Sequence, residues 1–313
     1  MIAVIGAGAA GLACAARLVE AGREVRVFDK GRRPGGRIAT RRIGDVSFNH
    51  GAQFATARDP AFVALLARFQ QDGTVAGWPA ASDGRDVRWV GVPGMSAMAT
   101  ALVGSLTVET LSQVAFIRPD RSVRIVPADT IAPGVVCDEG GSLTEPFEAV
   151  LLAVPSPQAV LLLGDHPFAA RAAATRYVPS WTVMATFDPA LPGPDVFRAK
   201  TGAVGWAARQ SSLPGHSDGP DAWVIQATAA WSAEHLEQDA AKIAPMLCAA
   251  FTAVVPATVA AQRWRYAQVE AAAGEPCLWD PKQRIGACGD WCLGGRVEAA
   301  WLSGRALAAA VLA

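Results

Sequence analysis

The chain contains 313 residues, of which 51% are hydrophobic and 18% are charged, and its 28 basic residues balance 28 acidic ones. This length accommodates two domains, or one domain with a large insertion, around a sizeable core. The neutral charge balance argues against nucleic acid or an anionic membrane as a partner. The six cysteines form no C-x-x-C pair and have no histidine at ligand spacing, which predicts reduced core residues and no metal site.

The N-terminus begins directly with a short apolar run that ends at Gly6, without a preceding charged region. This pattern is not that of a signal peptide. No uninterrupted apolar stretch reaches the roughly 18 residues that a membrane-spanning helix needs. We therefore expect a cytoplasmic protein that does not enter a membrane.

The first thirty residues follow the order strand, glycine turn, helix, strand and acidic residue. A strand is predicted over Met1 to Ile5, and Gly6 to Gly11 reads Gly-Ala-Gly-Ala-Ala-Gly. An alanine-rich helix then covers Leu12 to Ala21, and a second strand over Glu24 to Phe28 ends at Asp29. This order is typical of a dinucleotide-binding βαβ unit.

Each part of this pattern has its own role in binding a dinucleotide. Gly6 permits the tight turn, Gly8 lets the backbone approach a pyrophosphate, and Gly11 allows close packing of helix and strand. The N-terminus of the helix offers free N–H groups and a positive dipole end. Asp29 can accept hydrogen bonds from a ribose.

A second glycine pair follows at Gly35-Gly36-Arg37. This segment resembles the GG motif of FAD-dependent oxidoreductases of the amine oxidase superfamily. The resemblance implies that the glycines bring backbone close to the cofactor and that Arg37 offers a forked cation to a phosphate oxygen. The alternative interpretation is a solvated basic loop, which the neighbouring Arg32, Arg41 and Arg42 also suit.

The segment Asn49 to Phe54 resembles the stretch that follows the GG motif in renalase-like flavoproteins. His50 stands beside a glycine in this segment. Its imidazole either approaches the cofactor or has a structural role, and the sequence leaves both interpretations open.

Two apolar helices are predicted on either side of a loop-rich stretch. Asp59 and Pro60 suit the N-cap and first residue of the earlier helix. The later helix opens at Gly94-Met95 and ends near Val103. Residues 73–93 between them are rich in Gly, Pro, Asp and Trp, with a possible strand at Val87 to Val90. There we expect the chain to leave the nucleotide-binding domain briefly.

The next stretch is predicted to form an antiparallel meander. Its short β-rich runs are separated by turn residues and cover Leu106 to Glu109, Gln113 to Ile117, Ser122 to Val126 and Gly134 to Cys137. Phe147 to Val154 is then a fully apolar strand. Ser156 suits the N-cap and Pro157 the first residue of a helix that runs to about Leu163.

Residues 164–274 carry no nucleotide signature, and we expect them to form a substrate domain. The predicted strands are Tyr177 to Phe187, Ala203 to Gln210 and Trp223 to Thr228. Ser232 is predicted to start one or two helices that reach Val254, with Pro245 as a break or kink. Tryptophans at 181, 206, 223, 231 and 264 either pack the core or offer flat surfaces to a planar ligand.

The C-terminal forty residues resemble a second FAD-binding signature. A strand over Arg284 to Asp290 ends in Gly-Asp, and Gly294 to Ala300 opens a helix that continues to the C-terminus. The resemblance implies that Gly289 permits close approach, that Asp290 accepts from the ribityl chain, and that N–H groups at the helix start meet the flavin C2 carbonyl. Arg296 either adds positive charge there, projects into solvent or binds a substrate phosphate.

Over nearly its whole length the chain resembles the renalase family of FAD-dependent oxidases, and bacterial members most of all. The segments that carry this likeness are Gly6 to Gly11, Gly35 to Arg37, His50 to Phe54, Thr56 to Phe62, Trp89 to Met95, Trp206 to Gly215, Trp223 to Leu236, Arg263 to Ala267 and Gly289 to Gly304. The chain departs from the family pattern at Gln226 and Leu213, where histidine and lysine are usual. Asp29 replaces the more frequent glutamate and shortens the reach to the ribose.

The resemblance implies an α/β fold in which a Rossmann-type FAD-binding domain with a β-meander carries an inserted α+β substrate domain, as in amine oxidases and p-hydroxybenzoate hydroxylase. We expect the FAD-binding domain to comprise residues 1–72, 94–160 and 275–313. The substrate domain is expected to comprise residues 73–93 and 161–274.

The activity implied is oxidation of 2- or 6-dihydro isomers of NAD(P)H to NAD(P)+, with oxygen reduced to hydrogen peroxide. FAD is expected to be bound non-covalently. No general base is needed for such a substrate, so catalysis consists mainly of positioning the donor carbon. The dihydronicotinamide dinucleotide and oxygen are the expected small-molecule partners.

The candidate residues form two sets. Those expected at the cofactor are Gly6, Gly8, Ala9, Ala10, Gly11, Asp29, Lys30, Gly36, Arg37, Gln53, Phe54, Val114, Gly289, Asp290, Arg296 and Val297. Val114 enters by resemblance, at the position where backbone groups meet the adenine. Those expected at the substrate face are Trp181, Arg209, Gln210, Trp231, Trp264, Tyr266 and Arg296.

Two other functions fit the same FAD motifs. A flavin amine oxidase usually has an aromatic cage residue near the start of the C-terminal helix and a lysine near flavin N5. Here Arg296 stands at the first position, and Lys30, Lys200, Lys242 and Lys282 have no recognisable N5 setting. A flavin-binding redox protein without turnover is the second alternative.

Overall fold

The computed structural model describes residues 1–82, 84, 86–128, 130–131, 135–216 and 219–313. Its helices are α1 Ala9–Glu20, α2 Pro60–Gln71, α3 Met95–Val103, α4 Ser156–Leu163, α5 Phe168–Ala173, α6 Ala229–Glu234, α7 Ala240–Phe251, α8 Asp290–Leu293 and α9 Val297–Leu312. Its strands are β1 Ile2–Ile5, β2 Val25–Phe28, β3 Arg41–Ile43, β4 Val46–Phe48, β5 Val75–Gly77, β6 Trp89–Gly91, β7 Val108–Glu109, β8 Ser112–Ile117, β9 Val123–Pro127, β10 Ser142–Leu143, β11 Ala149–Leu152, β12 Arg176–Phe187, β13 Val196–Arg198, β14 Val204–Arg209, β15 Asp221–Ala227, β16 Thr258–Ala271, β17 Leu278–Asp280 and β18 Ile285–Ala287.

The chain divides into two compact units. The first unit comprises residues 1–36, 99–176 and 269–313, and the second comprises residues 37–98 and 177–268. These boundaries differ from the expected ones chiefly because residues 37–72 fall in the second unit. Phe48 shows the reason, since its buried ring packs against Met184 and Val224 in the central strands of that unit.

The first unit contains a Rossmann-type sheet with the strand order β17-β18-β11-β1-β2-β7. The pairs β18–β11, β11–β1, β1–β2 and β2–β7 are parallel, and only β17 runs antiparallel to its neighbour. The residues of β1 and β11 are all buried, as strands covered on both faces must be. Helices α1 and α9 pack so closely that a side chain at Gly304 would overlap the carbonyl of Ala10.

The predicted meander is present in part, as an antiparallel sheet with the order β10-β9-β8. Its first predicted run, Leu106 to Glu109, instead gives β7, which pairs parallel with β2 in the Rossmann-type sheet. Its third strand is Ser142–Leu143 and not Gly134 to Cys137. Residue 134 lies outside the described residues, and residues 135–137 are not in a strand.

The second unit is built on the antiparallel sheet β13-β14-β15-β12-β16. One face of this sheet packs on α7 through buried residues such as Trp181, Trp223, Ile243 and Leu247. We call the opposite face the polar–aromatic face. It carries Trp206, Gln226 and Thr182, which are consecutive partners across β14, β15 and β12.

The local start signals of the helices were predicted with mixed success. Asp59 caps α2 as predicted, since its carboxylate accepts from the amides of Ala61 and Phe62. Pro155 and not Ser156 occupies the N-cap position of α4. Thr228 and not Ser232 caps α6, and the buried Ser232 hydroxyl accepts instead from the amide of Trp181.

Two absences among the described residues bear on possible partners. Among the described residues, no helix combines the length and apolarity that crossing a bilayer requires. The same part of the chain holds no group of three or more His, Cys, Asp or Glu side chains placed to bind a metal ion.

Candidate dinucleotide site and polar–aromatic face

Two glycines of the first turn are required by packing. Gly6 has φ of +103°, and a side chain there would approach the carbonyl oxygen of Ala153 to 2.6 Å. A side chain at Gly11 would overlap the carbonyl oxygen of Gly6. These two positions therefore shape the turn between β1 and α1, as the sequence predicted.

Gly8 and Gly36 differ from those glycines because they border open space. Among the described residues, nothing lies within 4 Å of the position that a Gly8 side chain would take, and at Gly36 the one neighbour found within that distance is the Cα of Gly8, at 3.6 Å. Gly8 is also the N-cap of α1, where no side chain caps the helix and no acidic residue stands in the first turn. Ala9 and Ala10 begin the helix beneath this gap. The arrangement suits an anionic pyrophosphate, which needs close backbone approach and uncapped N–H groups.

Asp29 holds the turn together as well as facing the expected ribose position. Its two carboxylate oxygens accept from the amides of Ala7 and Gly31, each at 2.6 Å. A carboxylate has further lone pairs, so it can still accept from a ribose hydroxyl. Lys30 beside it is exposed.

Val114 is buried in β8, where it pairs with Ile125 of β9 next to a register shift. Its side chain is therefore core. Backbone contact with an adenine at this position stays a prediction from the resemblance.

The C-terminal signature has a different local role from the one expected. A side chain at Gly289 would come within 2.6 Å of the Trp291 ring, so this glycine makes room for a buried tryptophan. The Trp291 indole donates to the carbonyl of Val154 at 3.1 Å. The close approach that we assigned to Gly289 is thus made by a side chain of the protein itself. Asp290 is buried as the first residue of the short helix α8.

Arg296 is the N-cap of α9, and Val297 is the first residue of that helix. The Arg296 amide donates to the carbonyl of Gly294 at 2.8 Å, which corrects the expectation that it is free for a flavin carbonyl. Its half-exposed guanidinium lies 3.4 Å from the buried carboxylate of Glu298. No side chain caps this end of α9, so no capping group covers the positive end of the helix dipole.

In the second unit, Arg37 is bound to strand β16. Its guanidinium donates to the carbonyls of Tyr266 and Ala267 at 3.3 and 3.2 Å and lies 5.6 Å from the centre of the Tyr177 ring. These contacts anchor the residue that follows the GG motif.

The segment Asn49 to Phe54 lies on the polar–aromatic face as a tightly held turn. The Gln210 side chain accepts from the amide of Asn49 at 3.0 Å, and the Gln226 side chain donates to the carbonyl of Gly51 at 2.9 Å. The Gln53 side chain donates to the carbonyls of Asn49 and Gly51. Its buried Oε1 has no donor among the described residues, and Nδ1 of His50 and Nδ2 of Asn49 also have no partner there.

His50 is a neutral residue at physiological pH. Burial is the main cause that lowers its pKa from 6.5 to about 4, and the charge of Arg41 adds to the shift. The Trp264 indole donates to the His50 carbonyl at 2.8 Å. Above pH 6 the imidazole therefore brings no positive charge to this face.

Two of the expected substrate residues lie half-buried on the polar–aromatic face. Trp264 and Tyr266 alternate along β16 with the intervening Arg265, so they share that face. Tyr266 packs against Tyr177 with ring centres 5.8 Å apart. These aromatic residues were expected at the substrate face, and their position is compatible with that role.

Arg209 is committed to the protein itself, which corrects its assignment to the substrate face. Its guanidinium forms ion pairs with Asp195, at 2.9 Å, and with Asp221, donates to the Leu191 carbonyl and lies over the Trp223 ring. These contacts give Arg209 a role within the second unit.

Three other candidates also serve the interior of the second unit. Trp181 is 1% exposed and donates to the His235 carbonyl. Gln210 is 2% exposed, and its amide connects Asn49 to Ala208. Trp231 stacks on His235 with ring centres 4.1 Å apart and packs against the core. We therefore remove these three from the substrate face.

Sequence reasoning did not single out Thr182 or Tyr177, and it named Trp206 only as a tryptophan that either packs the core or faces a ligand. Thr182 and Trp206 join Gln226 on the polar–aromatic face, and Tyr177 contacts Tyr266 there. For Thr182 and Trp206 the signal was alternation, because residues two apart in a strand point to the same face. Without the pairing of β14, β15 and β12, the face could not be assembled.

The comparisons with known proteins agree with this architecture. Residues 4–69 match the family of NAD(P)-binding Rossmann-like domains, which places the βαβ unit in a dinucleotide-binding class. Among solved structures, a protein assigned as a protoporphyrinogen oxidase from Exiguobacterium sp. 255-15 is similar, with a TM-score of 0.73, 12% identity and coverage of 99% of this chain and 98% of that one.

Putrescine oxidase is similar as well. The wild-type enzyme bound to putrescine has a TM-score of 0.64 with 14% identity, and an engineered variant has a TM-score of 0.68 with 14% identity. In both cases the match covers 99% of this chain and 98% of the other. At these identities the likeness establishes the fold, and it confirms the predicted α/β class with a Rossmann-like domain.

Proposed function

We propose that the protein is an FAD-dependent oxidoreductase in which the first unit binds the cofactor. The observation that carries this proposal is the open space that Gly8 faces, beside Gly36, at the uncapped N-terminus of α1. Asp29 lies at the end of the adjoining strand, where a ribose is expected. The fold, shared with two oxidases over almost the whole chain, supports a flavin in preference to a nicotinamide as the resident group.

FAD, when bound, would supply a hydride acceptor that oxygen can reoxidise, with hydrogen peroxide as the product. The residues that would hold it are Gly6, Gly8, Gly11, Asp29 and Gly36, together with Asp290 and the start of α9. The uncapped end of α9 would favour negative charge on a group placed before it. The non-covalent attachment expected from the sequence belongs to this proposal.

For the substrate, we infer an isomeric dihydronicotinamide dinucleotide, as the resemblance to renalases implies. Such a substrate already carries a transferable hydride, so the protein must position a planar ring and exclude water. Half-buried Trp264 and Tyr266 provide aromatic surface on the polar–aromatic face. The neutral His50 beside Trp264 adds no charge that would oppose the cationic nicotinamide product.

The likeness to putrescine oxidase favours a second candidate, a flavin amine oxidase. Two features of this chain count against that function. All four lysines, Lys30, Lys200, Lys242 and Lys282, are exposed, so none is buried where it would face a flavin. Arg296, at the start of α9, places a cation where a protonated amine would be repelled.

Substrate discrimination tests the proposal. With oxygen removed, the bound flavin should be bleached rapidly by 2- or 6-dihydro isomers of NAD(P)H, slowly by ordinary NADH, and not by putrescine or other monoamines and diamines. Admitting oxygen should restore the yellow colour and release peroxide. Rapid bleaching by an amine, with no response to the dihydronicotinamide isomers, would replace the proposal with the amine oxidase. No bleaching by any donor would favour a flavin protein without turnover.

A further inference from the structure

Three aromatic side chains of the second unit form a cluster at the β13–β14 end of the polar–aromatic face. The Trp206 ring lies 5.6 Å from that of Phe54 and 6.1 Å from that of Trp78, between ring centres. Trp78 is fully buried, whereas Phe54 and Trp206 are partly exposed. The cluster therefore combines a buried, immobile Trp78 ring with accessible ring surface on Phe54 and Trp206.

Two guanidinium groups stack on this cluster. Arg88 lies 4.7 Å from the centre of the Phe54 ring, and Arg198 lies 4.9 Å from that of Trp206. Arg198 is exposed, donates to the carbonyl of Ala81, and has no carboxylate partner among the described residues. We call Phe54, Trp78, Arg88, Arg198 and Trp206 the Arg–aromatic cluster.

Strand pairing places this cluster in line with Gln226 and Thr182 on the polar–aromatic face. Arg198, Trp206, Gln226 and Thr182 are consecutive cross-strand partners from β13 to β12. Arg198 is therefore two strands from Gln226, a separation of about 10 Å. Gln226 contacts the turn that contains His50 and Gly51.

We propose that the Arg–aromatic cluster binds the nucleoside diphosphate part of the dinucleotide substrate. Guanidinium groups bind phosphate oxygens through paired N–H donors, and an aromatic surface stacks on a purine. In a nicotinamide dinucleotide, one ribose separates the reacting ring from the diphosphate. A substrate ring held near Gln226 and Trp264 would thus extend its diphosphate toward Arg198. This assignment rests on the proposed dinucleotide substrate.

A direct binding measurement tests the site without requiring turnover. ADP is titrated into the FAD-saturated protein, so that the cofactor site is filled, and binding is followed by calorimetry. The Arg198→Ala variant should bind ADP on the order of tenfold more weakly, the loss expected for one charge-assisted contact. Arg198→Gln keeps most of the side-chain length but lacks the guanidinium, so it should weaken ADP binding as much as Arg198→Ala does. This variant separates loss of the charged contact from loss of side-chain packing.

Arg263→Ala is the matched control. Arg263 also stacks on a tryptophan, with 5.7 Å to the Trp181 ring, and also donates to a backbone carbonyl, that of Leu236. It stands on the other face of the sheet, because it is one residue from Trp264 along β16. ADP affinity should be unchanged in this variant.

Kinetics then separate this inference from the proposed function. Arg198→Ala should raise KM for a dihydro-NAD isomer on the order of tenfold with little change in kcat, and should leave KM for the corresponding dihydronicotinamide riboside, which carries no phosphate, unchanged. If ADP does not bind the wild type, or binds all three variants equally, the site is refuted even if the protein oxidises dihydronicotinamides. If ADP binding depends on Arg198 but no dihydronicotinamide is oxidised, the proposed function fails and the nucleotide site stands.

Discussion

Trp264 and His50 make two contacts in the second unit, a hydrogen bond and a ring contact. The Trp264 indole donates to the His50 carbonyl at 2.8 Å, and the two rings lie 5.2 Å apart. This contact fixes the turn on strand β16 and covers the imidazole with apolar surface. Because that surface excludes water, it helps to keep the imidazole uncharged.

The neutral state of His50 predicts a pH-dependent stability. Its pKa is about 4 when folded against 6.5 for the ordinary side chain, so the unfolded chain binds the proton more tightly between these values. Stability from this group is complete above pH 6.5 and falls as the pH drops toward 4. Between pH 7 and pH 5 the loss is about 2 kcal/mol.

Urea unfolding of the wild type and of His50→Asn at pH 7 and pH 5 measures this loss. Asparagine does not titrate, so the variant should lose about 2 kcal/mol less than the wild type between the two pH values. Equal losses in both proteins would show that His50 is not held neutral by the fold.

Asp29 is predicted to support both the turn and the cofactor. Replacing it with alanine leaves the amides of Ala7 and Gly31 without their acceptors, at a cost of about 1–3 kcal/mol. Asp29→Ala should therefore lower both FAD occupancy, read from the ratio of flavin to protein absorbance, and the Tm of the FAD-free protein. Asp45→Ala, which removes an exposed carboxylate from the β3–β4 hairpin, is the control. Normal occupancy in Asp29→Ala would remove this residue from the cofactor site.

Arg209 is predicted to affect folding and not substrate binding. Its partner Asp221 is 4% exposed, and breaking such a buried ion pair costs about 3–5 kcal/mol. Arg209→Ala should lower the free energy of unfolding by this amount, measured with urea, and leave KM unchanged in the protein that remains folded. Arg265→Ala, which breaks an exposed pair with Glu237, should cost less than about 1 kcal/mol. A stable Arg209→Ala protein with a raised KM would show that Arg209 contributes to substrate binding and not to folding.

These residues show which parts of the structure could be predicted from the sequence. The β1–α1–β2 unit and the Asp59 cap depend on neighbours within a few residues, so local patterns identified them. Arg209 was misassigned because Asp195 and Asp221, which bind it, approach only after β14 has paired with β13 and with β15.

Strand β16 was missed for a related reason. It is fourteen residues long but lies at the edge of its sheet, and exposed residues such as Arg263 alternate with half-buried aromatic ones. Its length and pairing depend on β12, about eighty residues earlier in the chain. Gly289 was misread because its neighbour Trp291 turns back to fill the space that glycine leaves. Side-chain direction of that kind is set by tertiary packing.

The glycine turn between β1 and α1 allows folding and cofactor binding to be separated. At Gly8 a methyl group meets nothing within 4 Å, and φ of −78° is open to any residue, so Gly8→Ala should fold normally. The methyl would occupy the space proposed for the pyrophosphate, so FAD affinity should fall on the order of tenfold or more. At Gly11 the methyl would overlap the carbonyl oxygen of Gly6, so Gly11→Ala should lower the Tm of the FAD-free protein itself.

The measurements for this pair are the Tm of FAD-free protein and a fluorescence titration with FAD. Gly219→Ala serves as the control, because Gly219 is exposed, lies in a loop of the second unit and has no described residue within 4 Å of the position that its side chain would take. It should change neither quantity. The expected pattern is an unchanged Tm with weakened FAD binding for Gly8→Ala, and a lowered Tm for Gly11→Ala. Wild-type FAD affinity in Gly8→Ala would show that the gap beside Gly36 does not hold the pyrophosphate, because a backbone contact at Gly8 could not tolerate the added methyl.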